Sequence, residues 1–319
     1  MEARIMQNNK YETDPHLGKM SYVLITPARN EEAHIEKTIQ SVISQTVLPQ
    51  KWVIVSDGST DRTDEIVNQY LIGHRCIELI RMPERRDRSF AAKVSCFNAG
   101  YERVSRIDYD VIGCLDGDIS FEKDYLEFLL EKFLQISELG VAGTPFVEDG
   151  YSSVADSFEG GKHVAGGCQL FRKKCFDEIG GYVPNKAGGI DWIAVTTARM
   201  KGWRTQSFPE KVFYHHRSLG TGESNKIKSN FNYGRKDYYL GNHPLWETIR
   251  ILYRLVKRPF LIGGLITMCG YLWALITRME RPISRELMKF HQDEEMRKLK
   301  AIFRSVIRFK KINKYDLKY

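Results

Sequence analysis

Three clusters of polar residues each follow an apolar run directly. Pro27-Ala28-Arg29-Asn30-Glu31-Glu32 follows Tyr22–Thr26, Asp57-Gly58-Ser59-Thr60-Asp61 follows Trp52–Ser56, and Asp116-Gly117-Asp118 follows Val111–Leu115. Asp116 and Asp118 flank a glycine, so a turn there can bring both carboxylates onto one hard cation. Mg2+ or Mn2+ prefers such oxygen ligands and would neutralise a diphosphate leaving group. An aspartate after a strand is often only a helix N-cap, a job that suits Asp61 or Ser59. Asp57 and Asp116 end apolar runs directly, and capping explains them less well. A DGD also occurs in plain turns; its weight here comes from its position. Farther on, Asp191 precedes a helix-like run from Trp192 to Met200, where it can cap the helix or act as a base. His215-His216-Arg217 follows another apolar run, Lys211–Tyr214. One of these histidines could approach a metal or diphosphate, and Arg217 could bind phosphate, although a histidine after a strand is often structural.

The elements that must position these groups alternate regularly. The strand-like runs Tyr22–Thr26, Trp52–Ser56, Ile77–Ile80 and Val111–Leu115 are separated by helical patterns. Ile35, Ile39, Val42 and Ile43 share a face of the first, Ile66, Val67 and Tyr70 mark the second, and Phe90–Tyr101 is the third. Tyr125–Phe133 follows the fourth strand. Strands recurring every 25 to 35 residues with helices between them predict βαβ units and an α/β fold on a mainly parallel sheet. In such sheets ligands sit beyond the carboxyl ends of the strands, where the three polar clusters lie.

Together these motifs resemble the family 2 glycosyltransferases of GT-A fold over roughly residues 21–215. The resemblance makes TPARNEE (Thr26 to Glu32) and SDGSTDRT (Ser56 to Thr63) nucleotide-binding segments. It implies that Asp57 contacts the base and that Thr26 and Glu31 frame the nucleoside, with Pro27, Arg29 and Ser59 in the same segments. Ala92-Lys93-Val94-Ser95-Cys96-Phe97-Asn98-Ala99-Gly100 is similar to the family's GKxxALNxG, which brings Lys93 to the donor. Arg85, Arg86 and Arg88 are extra to this pattern; they are read as solvated, with diphosphate pairing the other option. Asp116, Gly117 and Asp118 then form the DxD segment that holds Mn2+ or Mg2+ and the nucleotide sugar, with His216 and Arg217 closing the site. Gly166 to Arg172 and Ile179 to Tyr182 look like the acceptor-side strand and turn. Gly188-Gly189-Ile190-Asp191 sits where the family reads ED, and Asp191 is its general base in inverting members. The family's processive synthases carry QxxRW, which is absent, so one sugar per encounter is expected. GxGxRL, GxxxxGK[ST] and GxGxxG are absent too, against a nucleotidyltransferase, a P-loop or a dinucleotide fingerprint.

Composition narrows the rest. With 42% hydrophobic and 28% charged residues over 319, the chain is globular in composition. Six cysteines without a CxxC argue against a disulfide scaffold or zinc ribbon and for buried free thiols. The net charge is +8, yet residues 1–277 hold 35 basic against 34 acidic residues, and Arg278–Tyr319 holds 13 against 6. The body thus offers no basic stripe for nucleic acid. Residues 1–20 read as a polar leader without a secretory signal, 21–225 as the catalytic domain, and 226–319 as a helical, basic, membrane-associated extension. Pro259–Thr277 is uncharged, but it is interrupted by Gly263, Gly264 and Gly270 and flanked by Arg254, Lys257, Arg258, Arg278, Arg281 and Arg285. A span would send the basic tail across the membrane, so in-plane or re-entrant attachment at the cytoplasmic face is expected, with a single span or a soluble helical appendix as alternatives. The expected partners are a nucleotide-diphospho-sugar donor, a saccharide or polyprenyl-linked acceptor and a membrane surface. A polyprenyl-phosphate sugar synthase and a non-catalytic nucleotide-sugar-binding scaffold stay open as alternatives.

Overall fold

The computed structural model describes residues 20–84, 90–148, 151–153, 160–185, 188–217, 226–255 and 261–307. The leader before Met20, Arg85, Arg86, Arg88, Lys257, Arg258 and the chain beyond Ile307 lie outside these residues.

Strands β1 (Tyr22–Ala28), β2 (Lys51–Asp57), β3 (Ile77–Met82) and β4 (Val111–Leu115) are parallel neighbours, joined by α1 (Ile35–Ile43), α2 (Thr63–Leu71) and α3 (Phe90–Val104). β1, β4 and the middle of β2 are apolar because both faces are covered, whereas the edge strand β3 carries Glu78 and Arg81. Alternate residues serve opposite layers. Leu24, Trp52 and Ile54 pack under α1 and α4 (Tyr125–Gln135), whereas Val23, Ile25, Val53 and Val55 pack under α3. Three further strands widen the sheet. β9 (Cys168–Arg172) runs antiparallel between β4 and β6 (Leu139–Gly143), and β10 (Arg204–Ser207) adds parallel to β6. The order is β10-β6-β9-β4-β1-β2-β3, a mainly parallel sheet with one reversed strand. After β9 come α5 (Lys173–Ile179) and α6 (Ile190–Met200), which covers the α3 face.

A small second sheet, in the order β5-β11-β7-β8, sits at the carboxyl end of β4: β5 (Ile119–Ser120), β7 (Phe146–Glu148), β8 (Tyr151–Ser152) and β11 (Phe213–His215). β11 pairs antiparallel with β5, setting His215 opposite Ile119.

Four helices follow: α7 (Lys226–Tyr239), α8 (Pro244–Leu255), α9 (Ile262–Ile276) and α10 (Arg285–Ile307). α7 and α9 touch backbone to backbone. A Cβ at Gly234 would lie 1.9 Å from the Thr267 carbonyl oxygen, and one at Gly270 would lie 2.0 Å from that of Phe231. α10 is fastened to α6 by a buried fork, with Arg199 Nε donating to Glu294 Oε1 (3.0 Å) and Nη2 to Oε2 (3.0 Å). Nearby, His291 meets the Trp192 ring edge-on, centroids 4.5 Å apart. Among the described residues, Cys96, Cys114, Cys168 and Cys175 are buried free thiols, Cys76 is half-buried and Cys269 is exposed.

Candidate active site

The first two polar clusters lace together. Asn30 adopts φ +54°, tolerable for an asparagine. It accepts the Thr60 amide on its side chain (2.9 Å), and its own amide donates to Ser59 Oγ (3.1 Å). The Glu31 amide donates to Thr63 Oγ1 (2.7 Å). Asp61 accepts the amides of Thr63 (3.0 Å) and Glu32 (3.1 Å), but the N-cap of α2 is Arg62, so Asp61 ties the turn before the helix rather than capping it. Burial opposes its ionisation, but the hydrogen bonds from Thr63 and Glu32 hold the carboxyl below the usual range. Asp57 is the last residue of β2, paired with Met82 rather than standing beyond the strand, and its carboxylate lies 3.8 Å from Arg29. Gly58 has φ +60°, and a Cβ there would strike the Glu84 Cα at 2.5 Å, so this turn admits only glycine. Thr26 departs from the expectation that its side chain frames a nucleoside. It is wholly buried, and its hydroxyl accepts the Trp52 indole N–H (2.9 Å) within the core. Pro27, beside it, is half-buried.

At the end of β4, Asp116, Asp118 and His215 bring one ligand atom each within 4.8 Å of one another. Gly117 does not act through a left-handed backbone: its φ is not positive. It leaves room instead, since a Cβ there would sit 3.3 Å from Glu31 Cγ and from Ile35 Cδ1. The β5–β11 pairing delivers His215, whose Nε2 lies 3.6 Å from Asp118 Oδ1. Its Nδ1 is buried without a hydrogen bond, 3.6 Å from Glu148 Oε2. Two carboxylates and an imidazole suit Mn2+ or Mg2+ better than a soft metal. His216 turns away. Its Nε2 is 2.8 Å from Ser120 Oγ and its ring stacks on His34 at 6.1 Å. Burial, then Lys37 and His34, favour its neutral form. Arg217 ion-pairs with Glu31 and lies 3.7 Å from Asp118 Oδ2, so Glu31 holds an arginine at this edge of the site. Lys93, projecting from α3, ion-pairs with Asp116. Burial works against its charge, but Asp116, with Asp191 farther off, outweighs it and raises the ammonium above its ordinary value.

Asp191 lies in the first turn of α6, one residue inside the helix, and the N-cap is Gly189 at φ +82°. It is therefore not the cap. Burial would favour its neutral form, but Lys236, His163, the Trp192 amide and Lys93 hold the carboxyl below its ordinary value, so it is ionised at neutral pH. Lys236 comes from α7 and reaches over Gly189, where a Cβ would lie 3.4 Å from Lys236 Cε. Lys93, Cys114, Gly166, Tyr182 and Asp191 line one small cavity. A Cβ at Gly166 would lie 2.9 Å from Asp191 Oδ2, and one at Gly167 would lie 3.8 Å from Asp116 Oδ2. The two carboxylates thus approach adjacent residues of a single dipeptide. Glu148 and Lys236 carry no motif of their own; chain reversals that spacing does not announce bring them in.

Residues 23–155 match the family model described as glycosyl transferase family 2. The poly-β-1,6-N-acetyl-D-glucosamine synthase of Staphylococcus epidermidis is 23% identical over 209 residues, 60% of this chain and 47% of that protein. The chain spans about half the length of the curated relatives it matches, or less. A mannosyltransferase from Pyrobaculum calidifontis, solved with GDP-Man and Mn2+, superposes with TM-score 0.53 at 16% identity, over 91% of this chain and 83% of that one. TarS 1-349 of S. aureus, solved with UDP-GlcNAc, gives 0.51 at 13%, over 85% and 78%. These likenesses identify the fold as GT-A, in keeping with the strand order.

Proposed function

Residues 23–155 belong to glycosyl transferase family 2, and from that membership we propose that the chain moves one sugar, with inversion, from a nucleotide-diphospho-sugar to a hydroxyl of a saccharide or lipid-linked acceptor. The observation that carries the proposal is that Asp116 and Asp191 approach the adjacent glycines Gly167 and Gly166, with Lys93 paired to Asp116 and lining one cavity with Asp191. Inversion needs attack on the anomeric carbon from the side opposite the leaving group, so it needs a group for the diphosphate and a separate base, roles that these two carboxylates can divide.

On the donor side, Asp57 and Arg29 mark the nucleoside end. Lys93 and Arg217 are the cations near the diphosphate position, the first on Asp116 and the second on Asp118 and Glu31. Asp118, His215 and Asp116 would hold Mn2+ or Mg2+, which when bound neutralises the departing diphosphate. On the acceptor side, Asp191 Oδ takes the hydroxyl proton as the acceptor oxygen bonds to the anomeric carbon, and the carbon–oxygen bond to the diphosphate breaks. Lys236 and His163 keep that carboxylate ionised before the transfer.

Thermal unfolding with UDP-, GDP-, dTDP- and CMP-sugars, with and without Mn2+, tests this reading. One nucleotide class should stabilise the protein by about 2.7 kcal/mol at a hundredfold excess over Kd, only with metal, and not in Asp118→Asn. Stabilisation by none of the four would overturn the donor assignment.

A further inference from the structure

The uncharged stretch near the C-terminal region folds with its small residues inward. In α9, Gly263, Gly264, Thr267, Gly270 and Ala274 are buried against neighbouring helices. At 100° per residue they share one face. The opposite face carries Ile262, Leu265, Leu272, Trp273, Leu275 and Ile276, each between 42% and 78% exposed. Six large apolar side chains exposed within fifteen residues form a contiguous patch of the kind that marks an interaction site, not scattered surface residues. Among the described residues no helix is long and apolar enough to cross a membrane. Fifteen residues rise about 22 Å, short of the ~30 Å hydrocarbon core, so this helix fits a bilayer lying flat.

We infer that the outer face of α9 seats in the plane of an anionic bilayer surface. Three observations favour lipid over a second copy of the chain. The sequence from Leu261 to Thr277 has no charged residue to supply a polar rim, whereas protein interfaces have one. Basic side chains gather just past the helix: Arg278, Arg285 and Lys289 are exposed, and the 13-to-6 excess of basic residues begins there. Trp273, 57% exposed on the apolar face, has the amphipathic ring that membrane interfaces favour. α9 lies directly on α7, the helix that carries Lys236 to Asp191, so α7 links the membrane-facing helix to the base. If Asp191 is the base proposed above, an acceptor held at a lipid surface suits this site; the membrane inference itself stands without that assignment.

Flotation of the full chain with vesicles tests it. The chain should float with vesicles of phosphatidylcholine and phosphatidylglycerol, bind pure phosphatidylcholine more weakly, and release as salt shortens the Debye length. The triple variant Leu272→Ser/Trp273→Ser/Ile276→Ser should lose about tenfold or more in vesicle affinity, with wild-type circular dichroism and wild-type Mn2+ binding. Flotation of the variant like the wild type, or no flotation of the wild type, would overturn the inference. So would a wild-type dimer in sedimentation equilibrium that the triple variant makes monomeric, since a second copy would then cover the face. None of these readouts depends on sugar transfer, so failure of the transfer reading would leave them intact.

Discussion

His215 and His216 are adjacent in sequence and face different neighbours. His215 joins Asp116 and Asp118, and His216 meets Ser120 and His34. His215→Ala should therefore weaken Mn2+ binding, read by calorimetry, while His216→Ala leaves it close to wild type. Equal losses in the two would contradict the assignment. Gly166→Ala is the matching change on the base side. Its Cβ would press on Asp191 Oδ2 from 2.9 Å, so transfer should fall while donor affinity holds. The carboxylate pair is legible from its place after an apolar run, whereas Asp61 stands one residue before the N-cap, Arg62. Which histidine faces the ion is not, because the β5–β11 register decides it, 97 residues past Asp118 in sequence. Thr26 misleads for a related reason. A threonine near a strand end reads as polar and available, and only the packing of Trp52 against it turns its hydroxyl inward.

At the scale of elements, the seam between α7 and α9 allows no side chain at Gly234 or Gly270. Gly234→Ala should cost about 1–3 kcal/mol or more by overpacking, seen as earlier proteolysis of the C-terminal helices. Beneath that seam runs a buried polar network. Arg250 donates to Asp237 (2.9 Å), Asn242 Nδ2 donates to Glu247 Oε2 (3.2 Å), and Asn242 Oδ1 lies 3.0 Å from His291. Burial, then the Asp237 charge, pushes the Glu247 carboxyl from 4.5 to about 7. The folded state therefore holds a proton that the unfolded chain has already released, and this contribution to stability is complete below pH 4.5 and lost as pH rises through 7. Glu247→Gln should raise Tm relative to wild type at pH 8 and converge with it near pH 5. A constant offset across that range would contradict the shift. The strands and α1 to α4 are legible because a two-sided apolar strand and a one-sided helix leave different periods. β9 reads as a strand but not as a reversed one, since direction depends on which edge receives it. The first-turn position of Asp191 is hidden because Gly189, at φ +82°, starts α6 two residues before the Trp192 that the sequence pattern marks.

For the molecule as a whole, the two sides of the site come from chain regions far apart. The proposed donor residues stand on β1, β2 and β4 and the loops that follow them, and the proposed base on α6, with α7 bringing Lys236 across from the C-terminal helices. The charge division between a near-neutral body and a basic C-terminal segment is plain in the sequence, and so is the uncharged stretch within it. That its large side chains point outward is not, because two glycines that interrupt the apolar run serve close approach, Gly270 to Phe231 of α7 and Gly264 to Leu255 of α8. One transfer site, in which Asp116 of the proposed cation set and Asp191 as the proposed base meet adjacent glycines, is the central proposal. Its most direct test is Asp191→Asn, assayed for sugar transfer and for donor binding with Mn2+ on the same preparation. Transfer should fall by about 10²–10⁴-fold with donor affinity near wild type. Near-normal transfer would contradict the account.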